Sequence, residues 1–119
     1  MRHRNTVLES LELFREQNPN IWVSNMLAFL YVCENEGINV KELAQVCRFN
    51  EATASRSIRS LAEKDTPGAL PPALGLIELV QNPQDGRGRL LRLTEKGRRL
   101  RDELDGIIRA GHTIVLPAA

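Results

Sequence analysis

The stretch from Asn39 to Lys64, NVKELAQVCRFNEATASRSIRSLAEK, contains two short helical patterns separated by only a few residues. Asn39 can cap the first helix, and Glu42 three residues later completes a capping box. The turn that follows spans residues 47–50, and its last residue, Asn50, is a good cap for the second helix. Two helices joined by so short a turn predict a helix-turn-helix.

The second helix has two distinct faces when its residues are placed about 100° apart. The apolar arc, which we expect to face the core, consists of Ala54, Ile58, Leu61 and Ala62. The opposite arc is small, hydroxylated and basic, and consists of Ala52, Thr53, Arg56, Arg59 and Ser60, with Ser55 on its edge and Glu63 at its far end. A DNA major groove about 12 Å wide admits such a helix, because nothing bulky lies near its N-terminus.

The two arginines on this face have different expected roles. Arg56 can contact either the edge of a guanine or a phosphate, and the sequence leaves that choice open. Arg59 is placed more naturally for a phosphate. An isolated helix face of this composition is more often merely solvated, so the interpretation depends on the segments around it.

A hairpin pattern follows between Leu76 and Gly97, in LIELVQNPQDGRGRLLRLTEKG. Residues 82–88 are dense in turn formers and separate strand-like runs near 76–81 and 89–93. A helix-turn-helix followed directly by a hairpin predicts a winged helix.

The tip of the hairpin, or wing, carries both flexibility and charge. Gly86 and Gly88 allow the tip to bend and to approach another backbone closely. Arg87 and Arg89 place two cations there, and a narrow DNA minor groove attracts such cations.

Charge is unevenly distributed along a chain whose net charge is only +1. Between residues 87 and 101, seven basic residues against the single acid Glu95 give a segment charge of +6. Between residues 5 and 36, five glutamates outweigh Arg15. Part of the basic excess is expected to be neutralised on the last helix, by the i,i+4 pairs Arg98–Asp102 and Arg101–Asp105.

Helical patterns also flank the helix-turn-helix. Residues 6–16 predict a helix with Val7, Leu11 and Phe14 on one face, Leu8 at its edge and Leu13 on the far side. Residues 21–36 are apolar nearly all round, which predicts a buried central helix that ends near Gly37. That run is far short of the ~20 apolar residues that span a bilayer, so no membrane partner is expected.

The last helix is predicted over residues 95–110, with Thr94 as its cap and Leu100, Leu104, Ile107 and Ile108 on one arc. We expect it to pack with the first helix in a homodimer. The predicted fold class is mainly α with a small β-hairpin, a winged helix-turn-helix in one domain over residues 1–119. Residues 20–94 form the winged-helix core, and residues 5–18 and 95–112 form the dimerisation helices.

Other classes of function lack support in the sequence. It has no Gly-rich phosphate loop, no metal-ligand spacing and no plausible nucleophile and base, so we expect neither an enzyme nor a cofactor. Two cysteines do not make a disulfide framework, and no signal peptide precedes the first helix, so a cytoplasmic protein is expected. Cys33 and Cys47 both occupy positions where a small hydrophobe is expected. Redox sensing is the alternative for Cys47, which adjoins Arg48.

Four stretches together resemble the winged-helix regulators of the MarR (multiple-antibiotic-resistance) family. They are MLAFL at 26–30, VKELAQ at 40–45, Thr53-Ala54-Ser55-Arg56, and the wing with its continuation, NPQDGRGRLLRLTEKG, at 82–97. The resemblance covers about residues 20–104. It implies a homodimeric transcription regulator that binds pseudo-palindromic double-stranded DNA, often releasing it when a small-molecule effector binds or a cysteine is oxidised.

The resemblance also implies roles for particular residues. Thr53, Ser55 and Arg56 would contact the major groove, and Arg87 would enter the minor groove. Asp85 would brace Arg87, in the D-x-R pattern of the family's wing. A winged helix that serves protein contact is the alternative, although it would have no need of basic residues on a Gly-flanked wing tip.

Three features depart from the family's pattern. Arg48 occupies a turn position where similar proteins often have Gly, and a left-handed conformation there would strain it. Residues 65–73, DTPGALPPA, form a longer link between recognition helix and wing than is usual, and their prolines predict a semi-rigid excursion. The helix before Ala119 is also shorter than the one many relatives use for dimerisation.

Overall fold

The computed structural model describes residues 3–84 and 88–110 of the chain. Five α-helices and one two-stranded antiparallel sheet follow in chain order: α1 His3–Gln17, α2 Val23–Glu34, α3 Val40–Cys47, α4 Glu51–Leu61, β1 Ile77–Gln81, β2 Arg89–Leu93 and α5 Glu95–Ala110. The predicted fold class, mainly α with a hairpin wing, is confirmed. No helix among these residues is long and apolar enough to cross a membrane.

The two helices of the helix-turn-helix begin at the polar residues that were predicted to cap them. The Asn39 Oδ1 accepts a hydrogen bond from the Glu42 N–H at 2.8 Å, and Glu42 Oε1 accepts one from the Asn39 N–H at 3.0 Å. The Asn50 Oδ1 likewise accepts from the Thr53 N–H at 2.8 Å and starts α4. Between the two helices Arg48 has φ 59° and ψ 37°, so the left-handed conformation expected at this turn is present in a non-glycine residue.

The core lies between α2, the helix-turn-helix and the sheet. Phe29 of α2 is fully buried and meets Phe14 of α1 edge to face, with 5.9 Å between the ring centroids. Other fully buried large side chains come from all the surrounding elements: Val32, Leu43, Ile58, Leu61, Leu76, Ile77, Leu91 and Leu93. This packing fixes the orientation of α4 relative to the wing.

The wing is paired along both edges of its second strand. On one edge β2 pairs with β1 in a register from Ile77 opposite Leu93 to Gln81 opposite Arg89. On the other edge, the Leu91 N–H donates to the Ile38 carbonyl and the Gly37 N–H donates to the Leu91 carbonyl, both at 2.8 Å. The segment between α2 and α3 therefore holds the wing against the helix-turn-helix.

Two expectations about the flanking helices are wrong. In α1, Leu13 is buried beside Phe14 rather than on the far side, while Val7 and Leu11 are about half exposed, at 58% and 47%. The inward side of α1 also includes the half-buried polar residues Ser10 and Gln17, so it does not coincide with the stripe of apolar residues.

The second wrong expectation concerns α2, which is buried on one side only. Asn25, Ala28, Phe29 and Val32 face the core. The opposite side is open, with exposed fractions of 65% for Val23, 38% for Leu27 and 40% for Leu30. An apolar helix surface does not by itself distinguish burial within the chain from a surface left for another molecule.

Candidate nucleic-acid interface

The outward face of α4 carries the residues predicted to approach DNA. Ala52, Arg56 and Arg59 are exposed, and Thr53, Ser55 and Ser60 are half-buried along its flanks. The buried side consists of Ala54, Ser57, Ile58 and Leu61. One core residue was predicted wrongly: Ala62 lies beyond the last helical residue and is half-buried, and the small hydroxyl of Ser57 is buried instead. Before Arg56, the outward face of α4 therefore carries only the small side chains of Ala52, Thr53 and Ser55.

Arg56 is free to contact another molecule. Within the described ranges its side chain makes no hydrogen bond and no ion pair, and only its backbone carbonyl is engaged, by the Ser60 hydroxyl at 2.9 Å. Because Ser60 donates its hydroxyl proton to the helix itself, it is less available as a donor to DNA than the sequence suggested. Arg56, by contrast, retains all five of its N–H donors.

Arg59 is held by the protein. Its Nε donates a hydrogen bond to the carbonyl oxygen of Gly68 at 2.7 Å, across the long link that follows α4. This partner could not be predicted from the sequence, because nine residues separate the two and no helical or strand period connects them.

The two faces of the wing carry different arginines. Along β2 the side chains alternate, so Arg89 lies on the face that also carries the buried Leu91 and Leu93. Arg92 lies on the other face, where its Nε is 2.6 Å from Glu78 Oε1. Arg89 makes no ion pair within the described part of the chain.

Arg59 and Arg89 border the same cavity, which lies between α4 and the wing. The cavity has a volume of about 240 Å³ and is also lined by Glu63. Glu78 borders it as well, but its carboxylate pairs with Arg92 on the other face of the wing. Two guanidinium groups and one exposed carboxylate therefore line the cavity, and that carboxylate, of Glu63, has no partner within the described part of the chain. Asp85 and Arg87 of the wing tip, which were also predicted to act here, lie outside the described residues.

The basic residues that follow the wing are mostly engaged within the fold. Lys96 Nζ donates to the Leu74 carbonyl at 2.7 Å, and Arg98 donates to the Leu93 carbonyl at 3.1 Å. The expected pairs Arg98–Asp102 and Arg101–Asp105 are wrong. Arg98 reaches back to the end of β2 instead, and Arg101 Nε lies 3.1 Å from its neighbour Asp102. Lys96 and Arg98 therefore tie the start of α5 to the backbone before β1 and at the end of β2.

One exposed side chain beside the outward face of α4 was not predicted to lie there. Trp22, expected on a buried helix, caps the start of α2 and is 69% exposed. With Ser24, Thr53 and Arg56 it lines a depression of about 180 Å³ beside α4. A usable signal was present in the sequence, because Asn25 three residues later accepts the Trp22 N–H at 3.2 Å, as an N-terminal helix residue does.

The two thiols are in environments that favour the neutral form. Burial raises the pKa of Cys33 to about 12, and nearby Arg101 opposes that rise only in part. Burial also raises the pKa of Cys47, with no lowering contribution from a cation. The proximity of Arg48 in sequence therefore does not activate Cys47, and both environments fit packing better than redox chemistry.

The fold matches solved structures of transcription regulators, whereas the sequence matches no family model and no curated protein. A MarR transcriptional regulator from Methanosarcina mazei Go1 superposes with a TM-score of 0.61 at 18% identity, over 92% of this chain and 72% of that one. The chain has the fold of the MarR regulators. A mutant of MarR from E. coli complexed with operator DNA gives a TM-score of 0.60 at 20% identity, over 87% of this chain and 68% of that one. The transcriptional repressor CouR, bound to a 23-mer DNA duplex, gives 0.62 at 18% identity, over 92% and 69%.

Proposed function

We propose that this chain is a homodimeric, sequence-specific DNA-binding transcription regulator of the MarR type. The observation that carries the proposal is the outward face of α4, where Arg56, which has no side-chain partner among the described residues, follows the small residues Ala52, Thr53 and Ser55. A helix with this clearance fits a major groove, and its arginine is then within reach of base edges. A mutant of E. coli MarR and the repressor CouR, which share this fold, have been solved in complex with DNA, and this supports the proposal.

The proposed mechanism divides the contacts between specificity and affinity. Arg56, with Thr53 and Ser55, is the candidate for reading base edges in the major groove. Arg59 and the wing residues Arg87 and Arg89 neutralise phosphates or enter the minor groove, and the release of counterions makes binding strongly dependent on salt. Ala52 and Ser60 border the recognition surface, and Asp85 braces Arg87.

Dimerisation is proposed through α1 and α5, which contact each other in the structure. Val7, Leu8 and Leu11 of α1 are 58%, 46% and 47% exposed, and Ile108 of α5 is 60% exposed. Exposed apolar residues on two adjoining helices are typical of a surface that another subunit covers. Two recognition helices related by the dimer axis would then enter successive major grooves about 34 Å apart.

The proposed biological outcome is repression, because a dimer bound over two helical turns would occlude a promoter. CouR, which shares the fold, is a repressor. A regulator of this kind acts directly on chromosomal DNA, so we propose that it works in the cytoplasm of a cell without a nucleus.

Selection of bound sequences from a random duplex pool tests the proposal, followed by titration of the selected duplex at two salt concentrations. The expected result is an inverted repeat with half-sites about one helical turn apart, and an affinity that falls steeply with salt. Recovery of no sequence, with only weak salt-sensitive binding, would contradict sequence-specific regulation and favour a protein-contact module.

Sedimentation of a Leu11→Glu variant tests the dimer, because a buried carboxylate in the proposed interface would be strongly unfavourable. Val46→Glu is the matched control, since Val46 is similarly exposed, at 41%, but lies on α3. We expect Leu11→Glu to sediment as a monomer and Val46→Glu as a dimer. A dimer in both would remove α1 from the interface.

A further inference from the structure

The link of residues 65–73 and the residues that lead from it into β1 close the C-terminal end of α4 with their backbone. The last carbonyl groups of a helix have no partner within the helix and need one elsewhere. Here the Leu70 N–H donates to the Arg59 carbonyl at 2.9 Å, and the Leu74 N–H donates to the Ser60 carbonyl at 3.0 Å. The Leu76 N–H completes the set on the Leu61 carbonyl at 2.8 Å. The link is therefore held against the end of α4 by hydrogen bonds and is not a loose spacer.

The same link also accepts a hydrogen bond from an outward side chain of α4. Arg59 donates its Nε–H to the Gly68 carbonyl at 2.7 Å. Gly68 has φ +81°, a conformation that side-chain-bearing residues rarely adopt. The turn around it is closed by the Thr66 N–H to Glu63 carbonyl bond and the Ala69 N–H to Thr66 carbonyl bond, at 3.2 and 3.1 Å. The position of the Gly68 carbonyl thus follows from a turn that requires glycine.

We propose that Gly68 is a positioning residue, which holds the Arg59 guanidinium ready for a DNA phosphate at the cavity between α4 and the wing. The proposal rests on the DNA-binding function proposed above. Occupation of Nε by Gly68 leaves the four N–H donors on the terminal nitrogens of Arg59 for a phosphate. An arginine loses conformational entropy when DNA binding fixes its side chain. Here the free protein already restricts Arg59, so less entropy is lost on binding.

Two comparisons within the site support this role. Arg56, three residues earlier on the same face, has no such tether and remains adaptable, as a residue that reads base edges requires. Across the cavity, Arg89 supplies a second guanidinium for the same phosphate. The exposed carboxylate of Glu63 lines the cavity as well, and it makes a fixed orientation of Arg59 toward the phosphate more valuable than a freely moving one.

The test is a double-mutant cycle on the selected duplex, with wild-type protein, Gly68→Ala, Arg59→Ala and the double variant. Alanine at position 68 strains the turn and so displaces the carbonyl that holds Arg59. Loss of one such hydrogen bond is expected to weaken binding about threefold to tenfold. The double variant is expected to bind like Arg59→Ala alone, because Gly68 acts through Arg59.

Gly37→Ala is the matched control, since Gly37 also has a positive φ, +100°, but lies between α2 and α3 with no atom within 4 Å of an added Cβ. Because the Gly37 N–H holds the wing at the Leu91 carbonyl and does not act through Arg59, any loss of affinity in Gly37→Ala should add to the loss in Arg59→Ala. Arg59→Lys supplies a second route that leaves the link intact, because lysine retains the charge but has no Nε–H. It is expected to bind as weakly as Gly68→Ala.

A direct readout is the exchange of the Arg59 Nε proton with water, followed by NMR in the free protein. It should be slow in the wild type and in Gly37→Ala, and fast in Gly68→Ala. Wild-type affinity in Gly68→Ala or in Arg59→Lys would overturn the positioning role, as would losses that add in the double variant. If the wild type binds no duplex at all, the proposed function and this inference fall together; if only the cycle fails, the function stands.

Discussion

Gly97 packs so closely against Leu76 that a Cβ atom on Gly97 would overlap the carbonyl oxygen of Leu76. That oxygen also accepts a hydrogen bond from the Thr94 N–H at 3.1 Å, and the Leu76 N–H donates to the Leu61 carbonyl at 2.8 Å. The start of α5, the strand entry and the end of the recognition helix therefore meet at one point. A side chain at position 97 would disturb all three elements.

Gly97→Ala is expected to lower the free energy of unfolding by about 1 to 3 kcal/mol, because the obstructing atom belongs to the backbone and cannot turn aside. Gly106→Ala is a control in the same helix, since an added Cβ there has no atom within 4 Å. The control should be up to about 1 kcal/mol more stable than the wild type, through helix propensity. Urea unfolding measures both, and equal stabilities for the two variants would contradict the close contact.

The cap on the recognition helix leads to a second stability prediction. Asn50→Ala removes the acceptor for the Thr53 N–H, which is 2.8 Å away, and should cost about 1 kcal/mol of unfolding free energy. Asn50→Ser retains an acceptor and should recover most of that loss. Thermal unfolding of the two variants side by side checks the difference. Equal melting temperatures would show that water replaces the cap without cost.

Local signals were sufficient to predict the helix-turn-helix and the wing. The caps at Asn39 and Asn50 act on N–H groups three residues away, and one turn-rich segment separates the two strands of the hairpin. Interactions of this range are visible in the sequence itself. The outward face of α4 was predictable for the same reason, because a helical period assigns each residue to a side.

Contacts between distant segments were not predictable. The inward side of α1 depends on which helices it meets, and the tether from Gly68 to Arg59 depends on the path of an irregular link. The Leu93 N–H donates to Glu36 Oε1 at 2.9 Å across 57 positions of sequence, so it follows no period. For the same reason the i,i+4 pair expected between Arg98 and Asp102 on α5 was wrong, since Arg98 donates to the Leu93 carbonyl at the end of β2 instead.

The raised pKa values of the thiols predict slow alkylation. Burial raises the pKa of Cys33 to about 12 and also raises the pKa of Cys47, so at pH 8 the folded protein holds less thiolate than the unfolded chain. Iodoacetamide should therefore react more slowly with both thiols in the folded protein than in urea at the same pH, by at least about tenfold for Cys33. Cys33→Ser and Cys47→Ser isolate the two thiols. Equally fast reaction of Cys47 in both conditions would revive the redox-sensing alternative.

Arg56→Ala should separate base reading from phosphate contact. If Arg56 reads a base edge, the variant loses about 1 to 3 kcal/mol of binding free energy on the selected duplex and discriminates less at one base position. Arg15→Ala is the control, because Arg15 is exposed on α1 and pairs with Glu12. Titration against the selected duplex and single-base variants provides the measurement. An equal loss on every duplex would make Arg56 a phosphate contact.

The two faces of the wing should respond differently to loss of charge. Arg89 lies on the face toward α4 without an ion pair among the described residues, and Arg89→Gln should reduce the slope of log affinity against log salt by about 0.9, the value for one phosphate contact. Arg92 and Glu78 neutralise each other on the opposite face, 2.6 Å apart. The double variant Glu78→Gln with Arg92→Gln removes that pair without changing the net charge, so its affinity and slope should match the wild type. If this pair variant lost as much affinity as Arg89→Gln, DNA would approach the wing from the face away from the recognition helix, and the proposed docking would be wrong.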